Sequence, residues 1–153
     1  MDFKTAFNKS AALCARQERC SFEIVAKLIT WEVDPDIIDQ VIKTLAQEKY
    51  IDENRFAGFY ARDKFRFNKW GKQKIAFHLR QKKIAPDVIN SVLAGLDDSD
   101  YEDTLLFMLK ARERNISNED AYKKKAALIR FALSRGFEYD QIMRTLDVMA
   151  KAQ

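Results

Sequence analysis

Apolar and polar residues follow a helical period along this chain, and the same arrangement returns in three places. The segments PDIIDQVIKTL (35–45), APDVINSVLAGL (85–96) and YDQIMRTL (139–146) each set an aspartate just ahead of an amphipathic run. Asp36/Ile38/Ile42, Asp87/Ile89/Leu93 and Asp140/Ile142/Leu146 stand at equal offsets. That spacing places the two apolar residues of each set on one helical face. It predicts the aspartate at or near an N-cap or in a first turn, where its carboxylate meets unpaired N–H groups and the positive end of the dipole.

A second helical pattern precedes each run: Ile24, Val25 and Leu28; then Ile75, Ala76 and Leu79; then Ala127, Leu128, Phe131 and Ala132. The first of these is entered from Ser21, with Glu23 completing a capped start. Further upstream stand Ala15-Arg16-Gln17-Glu18, Ala61-Arg62-Asp63-Lys64 and Ala111-Arg112-Glu113-Arg114, spaced 46 and then 50 residues apart. Each unit reads as three helices of about 10–15 residues, and no stretch keeps the alternation of a strand. Units of this length belong to helical arrays, in which one unit buries little without its neighbours. The expected fold is all-α: three tandem three-helix repeats over residues 1–49, 50–96 and 97–153, in an elongated molecule, straight or curved. The plain alternative is one globular bundle whose similarities are coincidental.

Composition supports the helices. The chain has 153 residues with only 4 Gly and 2 Pro, so turns are few and short. It is long enough to bury a core. No apolar run reaches the ~18–20 residues of a membrane span, and the N-terminus lacks the apolar stretch and cleavage site of a secretion signal. Cys14 and Cys20 form neither a CxxC pair nor a disulfide framework. They are expected to be reduced packing residues of a cytoplasmic protein.

Charge changes the picture more. The net charge is +4, but it is not spread evenly: residues 1–49 sum to −1, residues 50–96 to +6 and residues 97–153 to −1. The excess gathers in ARDKFRFNKWGKQK (61–74) and the helix after it. The candidate binding residues are Arg62, Lys64, Arg66, Lys69, Trp70, Lys72, Lys74, Arg80, Lys82 and Lys83. On a helix Arg62 and Arg66 are neighbours, as are Lys74, His78 and Lys82. Such cations repel one another, and a polyanion relieves the cost. The simpler reading is a solvated face. Trp70 and Phe67 either stack on bases or a partner surface, or close the turn around Gly71. Phe56, Phe59 and Tyr60 point elsewhere and are expected in the core. Lys123, Lys124 and Lys125 make a smaller patch, offset by Glu119 and Asp120 and read as a solvated face.

No catalytic constellation is visible. The one histidine, His78, lacks companions for a metal site and is expected to face solvent or a partner. The four glycines build neither GxxxxGK[ST] nor GxGxxG, and there is no GxSxG. The acidic run DDSDYED (97–103) lacks the spacing of a Ca²⁺ loop. It sits where a helix begins, with Ser99 as the expected cap and the carboxylates at the helix dipole. The expectation is no enzyme, no cofactor and no metal.

Three segments in order carry a resemblance: YIDENRFAGFYARDK (50–64), WGKQKIAFHLRQKKI (70–84) and RGFEYDQI (135–142). They resemble the RecX family, regulators of the bacterial RecA recombinase. The matching positions are Tyr50, Ile51, Asp52, Glu53, Arg55, Phe56 and Ala57, followed by Gly71, Lys74, Ile75, Leu79 and the close Lys82-Lys83-Ile84. ALCARQERCSFEIVAKL (12–28) also fits. One departure is Lys83, where the family usually has a glycine suited to a left-handed helix end. Another is WEVDPD, which closes the first repeat without a Lys-Gly-Phe type ending. The resemblance implies tandem three-helix repeats and a regulatory, non-catalytic role. It implies binding to the RecA filament on single-stranded DNA, along its groove, with inhibition of its ATPase and strand exchange. Single- or double-stranded DNA is an expected weak, non-specific partner, and the chain is expected to be a monomer in the cytoplasm. A non-sequence-specific DNA-binding helical module is the competing reading, resting on charge alone.

Overall fold

The computed structural model describes residues 1–117 and 120–152. Among these the chain forms nine α-helices and no strand. They are α1 (Phe3–Arg16), α2 (Ser21–Thr30), α3 (Pro35–Gln47), α4 (Glu53–Asn68), α5 (Lys72–Gln81), α6 (Pro86–Ala94), α7 (Asp98–Arg114), α8 (Ala121–Ser134) and α9 (Tyr139–Lys151). The fold is all-α, as the periodicity predicts, and the helices come in three consecutive trios.

Local chemistry explains the starts. Asp36, Asp87 and Asp140 each occupy the first turn of the third helix of a trio, where a negative charge offsets the N-terminal dipole. Pro35 and Pro86 open α3 and α6, in keeping with a residue that lacks the N–H a first turn leaves unpaired. Asp2, Asp97 and Asp120 accept backbone N–H groups at the starts of α1, α7 and α8. Asp52 accepts the Arg55 N–H at 3.0 Å at the start of α4. Two starts differ from expectation by one or two residues. Cys20, not Ser21, precedes α2: the Glu23 carboxylate reaches back to the Cys20 N–H at 3.2 Å. Asp97, not Ser99, caps α7, because the aspartate one residue before the helix already holds the Asp100 N–H at 2.9 Å.

The ends of the second helices share one closure. Glu32, Lys83 and Gly136 follow α2, α5 and α8 with φ of 58°, 63° and 93°. In each case the next residue's N–H bonds five positions back: Val33 to Leu28, Ile84 to Leu79 and Phe137 to Ala132, at 3.1–3.2 Å. This is a Schellman closure, and Val33, Ile84 and Phe137 are buried beyond it. Lys83 and WEVDPD therefore depart from the glycine pattern in sequence and keep its geometry. α3 ends the same way at Lys49, φ 63°.

Packing forms two compact units. One contains Met1–Tyr60 and Leu79–Ile89; the other contains Ala61–His78 and the described residues from Asn90 on. α4 and α5 thus contribute to both. In the first unit Ile24, Leu28, Ile38, Val41 and Leu45 make the centre of a core that joins α1, α2 and α3. In the second, Leu105, Leu109, Leu128, Phe137, Ile142 and Leu146 do so for α7, α8 and α9. Ile38, Ile89, Ile142 and Leu146 are buried, while Ile42 and Leu93 are partly so. Phe56 is in the core, but Phe59 is 46 % exposed. Three residues on, it lies about 60° round the helix from Phe56, on the side away from buried Ala57 and Ala61.

Within the second unit, α5 begins on the end of α8. The Gly71 N–H donates to the Arg135 carbonyl at 2.7 Å and the Gln73 N–H to the Gly136 carbonyl at 2.9 Å. Between them the Lys72 N–H donates to Tyr101 Oη at 2.9 Å, and that hydroxyl donates in turn to the Glu138 carboxylate. The unpaired N–H groups of one helix start are met by the unpaired carbonyls of another helix end. A Cβ on Gly71 would lie 2.4 Å from the Gly136 carbonyl carbon, and one on Gly136 would lie 2.3 Å from the Lys74 Cβ.

Three outcomes test this account in urea melts. Gly71→Ala meets backbone rather than a flexible side chain, and should cost about 3 kcal/mol. An unchanged midpoint would show that the two helix ends do not touch. Lys83→Gly removes a left-handed strain of about 1–2 kcal/mol and gives back ~0.4–1 kcal/mol of chain entropy. The net should be a gain, and a loss would contradict the closure. Leu79→Ala, fully buried, should cost about 2–5 kcal/mol.

Candidate nucleic-acid and partner interface

The basic stretch starts on the C-terminal half of α4, turns at Lys69–Gly71 and enters α5. Its placement follows from the α5–α8 contact, which fixes the Gly71 backbone. Lys69 ends α4 with φ 56°, and the Trp70 N–H then closes on the Lys64 carbonyl at 3.1 Å. That turn brings Trp70 back over the helices it joins.

The ring of Trp70 organises one cluster. His78 stacks on it with ring centroids 4.6 Å apart and an interplanar angle of 26°. Lys64 Nζ lies 5.0 Å and Lys74 Nζ 4.8 Å from its centroid, within the reach of cation–π attraction. Phe77 meets His78 edge-on at 5.4 Å. His78 is therefore half-buried against an aromatic face, rather than set out toward solvent as a lone histidine on a basic helix suggests. Trp70 closes the turn and carries cations on its ring at once. Lys72 lies over the ring of Tyr101 at 4.8 Å. Burial, reinforced by Glu138, pushes the Tyr101 phenol far up, so it stays a neutral donor. Arg62 and Arg66 are exposed; Arg66 covers Phe67 at 5.5 Å, and Phe67 is 71 % exposed.

Arg80, Lys82 and Lys83 belong to the other compact unit. There Lys82 Nζ pairs with Glu23 at 3.0 Å and lies 5.9 Å from the Tyr60 ring. It ties the end of α5 to the start of α2. Arg55 does the same for α4, pairing with Glu18 at 2.9 Å and donating to the Tyr50 carbonyl at 3.1 Å. Each half-exposed pair is worth about 0–1 kcal/mol, but each lowers the charge presented to a partner. Arg80 and Lys83 are exposed. The ten predicted residues thus fall into a seven-residue group on the second unit and a three-residue group on the first.

The remaining candidates are structural. Burial raises both thiols, Cys14 in direction and Cys20 to about 11, which keeps them as unreactive packing groups. In the acidic run Asp97 is the cap and Asp98 and Asp100 lie in the first turn of α7. Among the described residues no three His, Cys, Asp or Glu side chains converge as metal ligands, and no helix is long and apolar enough to cross a membrane. Glu119 lies outside the described residues. Sequence reading missed Arg112 and Arg135, whose guanidinium carbons lie 4.9 and 5.3 Å from the Phe131 ring centroid. A charge sum over residues 97–153 hides them, because acids elsewhere in the segment cancel them.

Comparison with known proteins agrees with this architecture. Models described as the first, second and third three-helix domains of RecX match residues 6–45, 52–93 and 100–146. A protein of Chlorobium phaeobacteroides named Regulatory protein RecX is 30 % identical over 146 residues, covering 95 % of this chain and 94 % of the relative. One of Halorhodospira halophila with the same name is 33 % identical over 132 residues, covering 85 % and 79 %. A Clostridium botulinum relative of that name is 31 % identical over 111 residues, 71 % of this chain but 51 % of its own length, so the chain spans about half of some curated relatives it matches. The crystal structure of RecX from Lactobacillus salivarius has the same fold, with a TM-score of 0.89, 20 % identity and 97 % of each chain covered. With all three domain descriptions in order and near-full-length relatives at this identity, the chain belongs to the RecX family.

Proposed function

We propose that this protein binds the filament of RecA recombinase on single-stranded DNA and restrains its ATPase and strand exchange, without catalysis of its own. The observation that carries the reading is the +6 of residues 50–96 on a chain that matches all three RecX domains. A filament offers a polyanionic backbone beside protein surface. Lys64, Lys72 and Lys74, ordered on aromatic rings, and Arg62, Arg66, Lys69, Trp70, Arg80 and Lys83 supply the matching cations and rings. Lys82 is the weakest contributor, since Glu23 answers it. The repeat boundaries we propose are 49/50 and 96/97, with the chain acting as a cytoplasmic monomer.

A plain DNA-binding module is the second reading, favoured by the same charge. Neutralising phosphates gives steep salt dependence with little sequence preference. The two part in one assay: the ATPase of preformed cognate RecA filaments, titrated with this protein in the presence and absence of excess free DNA. Inhibition should survive the competitor. Inhibition that fades as free DNA is added would instead describe a module competing for DNA, and no inhibition would remove the regulatory reading. In the same assay Arg62→Glu with Arg66→Glu should weaken inhibition about tenfold or more at moderate salt, with unchanged helicity. Undiminished inhibition would make this face a merely solvated one.

A further inference from the structure

The third trio has a net charge near zero only as a sum. Most of its described acids lie at the start of α7 and at the start of or along α9, with Glu113 and Asp120 the exceptions, while Arg112, Arg114, Lys123, Lys124, Arg130 and Arg135 lie at the end of α7, along α8 and just beyond it. Where α7 passes α8, an open groove is lined by Lys69, Phe107, Arg112, Asn115, Phe131 and Arg135, together with Asn68, Met108 and Ala111, and by no acid. A separate hollow on α8 is lined in part by Tyr122, Lys123 and Arg130, again with no acid among its lining residues. Two features narrow the occupant. Arg112 and Arg135 lie against the same ring, Phe131, so two phosphate-binding forks are held beside each other with less freedom left to lose. Phe107 and Tyr122 are 59 % and 83 % exposed, so their faces are open to a flat partner. Cations beside bare rings suit a chain with phosphates and accessible base faces, which a single strand has and a duplex lacks.

We propose that this groove is a binding site for single-stranded nucleic acid, distinct from the Trp70 cluster and sharing only Lys69 with the α4–α5 cations, with Lys69, Arg112 and Arg135 on phosphates and Phe107 under a base. The inference deepens the proposed function and rests on that reading in taking the polymer to be DNA. The test uses the full chain and a fluorescein-labelled oligothymidylate, followed by anisotropy over a salt series with no recombinase present. Arg112→Glu with Arg135→Glu should weaken binding at least about tenfold and flatten the log–log salt slope by about 1.4, at ~0.7 per phosphate lost. Phe107→Ala should weaken it about tenfold with the slope unchanged. All three positions are exposed, and circular dichroism checks that the helices persist. Wild-type protein that ignores the oligonucleotide overturns the proposal, as do variants that bind like wild type. Loss of binding in the Arg pair with no effect of Phe107→Ala overturns the base platform and leaves an anion patch. An Arg pair that binds the oligonucleotide normally yet inhibits RecA poorly assigns the groove to acidic protein instead. Because the oligonucleotide readout contains no RecA, its failure is distinct from failure of filament regulation.

Discussion

The start of α5 lies on the end of α8, and the position of the basic stretch follows from that contact. A helix start leaves N–H groups unpaired and a helix end leaves carbonyls unpaired; buried, either would cost about 1–3 kcal/mol per group. Here Gly71 and Gln73 donate to Arg135 and Gly136, so the two deficits cancel, and the dipoles meet positive end to negative end. Tyr101 fills the gap between them by accepting from Lys72 and donating to Glu138. The approach is possible only because neither Gly71 nor Gly136 carries a side chain. Two glycines far apart in sequence are thus one structural element, and Lys72 and Lys74 are positioned by it.

The left-handed closure works at the level below. Three second helices end with the same backbone path, whether the residue is Glu32, Lys83 or Gly136. What is shared is the buried residue after it: Val33, Ile84 or Phe137. Burying such a side chain yields about 1.5–3 kcal/mol, enough to hold a non-glycine residue at positive φ against a strain of about 1–2 kcal/mol. Only at Gly136, where the α5 backbone comes close, does the third trio require the glycine itself. Strain tolerated at two ends and a steric limit at the third account for the difference in sequence.

Much of this was legible in the chain. Period and offset placed α3, α6 and α9, because the Asp-to-apolar spacing is a local property of one helix. Starts were legible to within a residue or two; Cys20 and Asp97 took the cap positions expected at Ser21 and Ser99, since several nearby groups can serve and side-chain reach decides. Phe59 was not legible, because it lies only about 60° round the helix from buried Phe56, and no local signal shows on which side of Phe56 the covered face ends. The α5–α8 contact was not legible either. Gly71 and Gly136 each look like turn residues, and only the tertiary approach makes them a pair. For the candidate interface, the run of cations was readable but its division between two compact units was not.

Charge counted along the chain differs from charge a partner meets. Lys82 and Arg55 contribute to the +6 of residues 50–96, yet Glu23 and Glu18 of the first trio answer both. The −1 of residues 97–153 likewise conceals Arg112 and Arg135 on one ring. Ring-held cations are also not equivalent to free ones. Lys64 and Lys74 over Trp70 have surrendered part of their rotamer freedom on folding, of the order of 1.5–2 kcal/mol for a fully fixed lysine. A polyanion that meets them therefore orders less side chain than one that meets a freely moving lysine. The rings act on the cations first, and through them on whatever the cations bind.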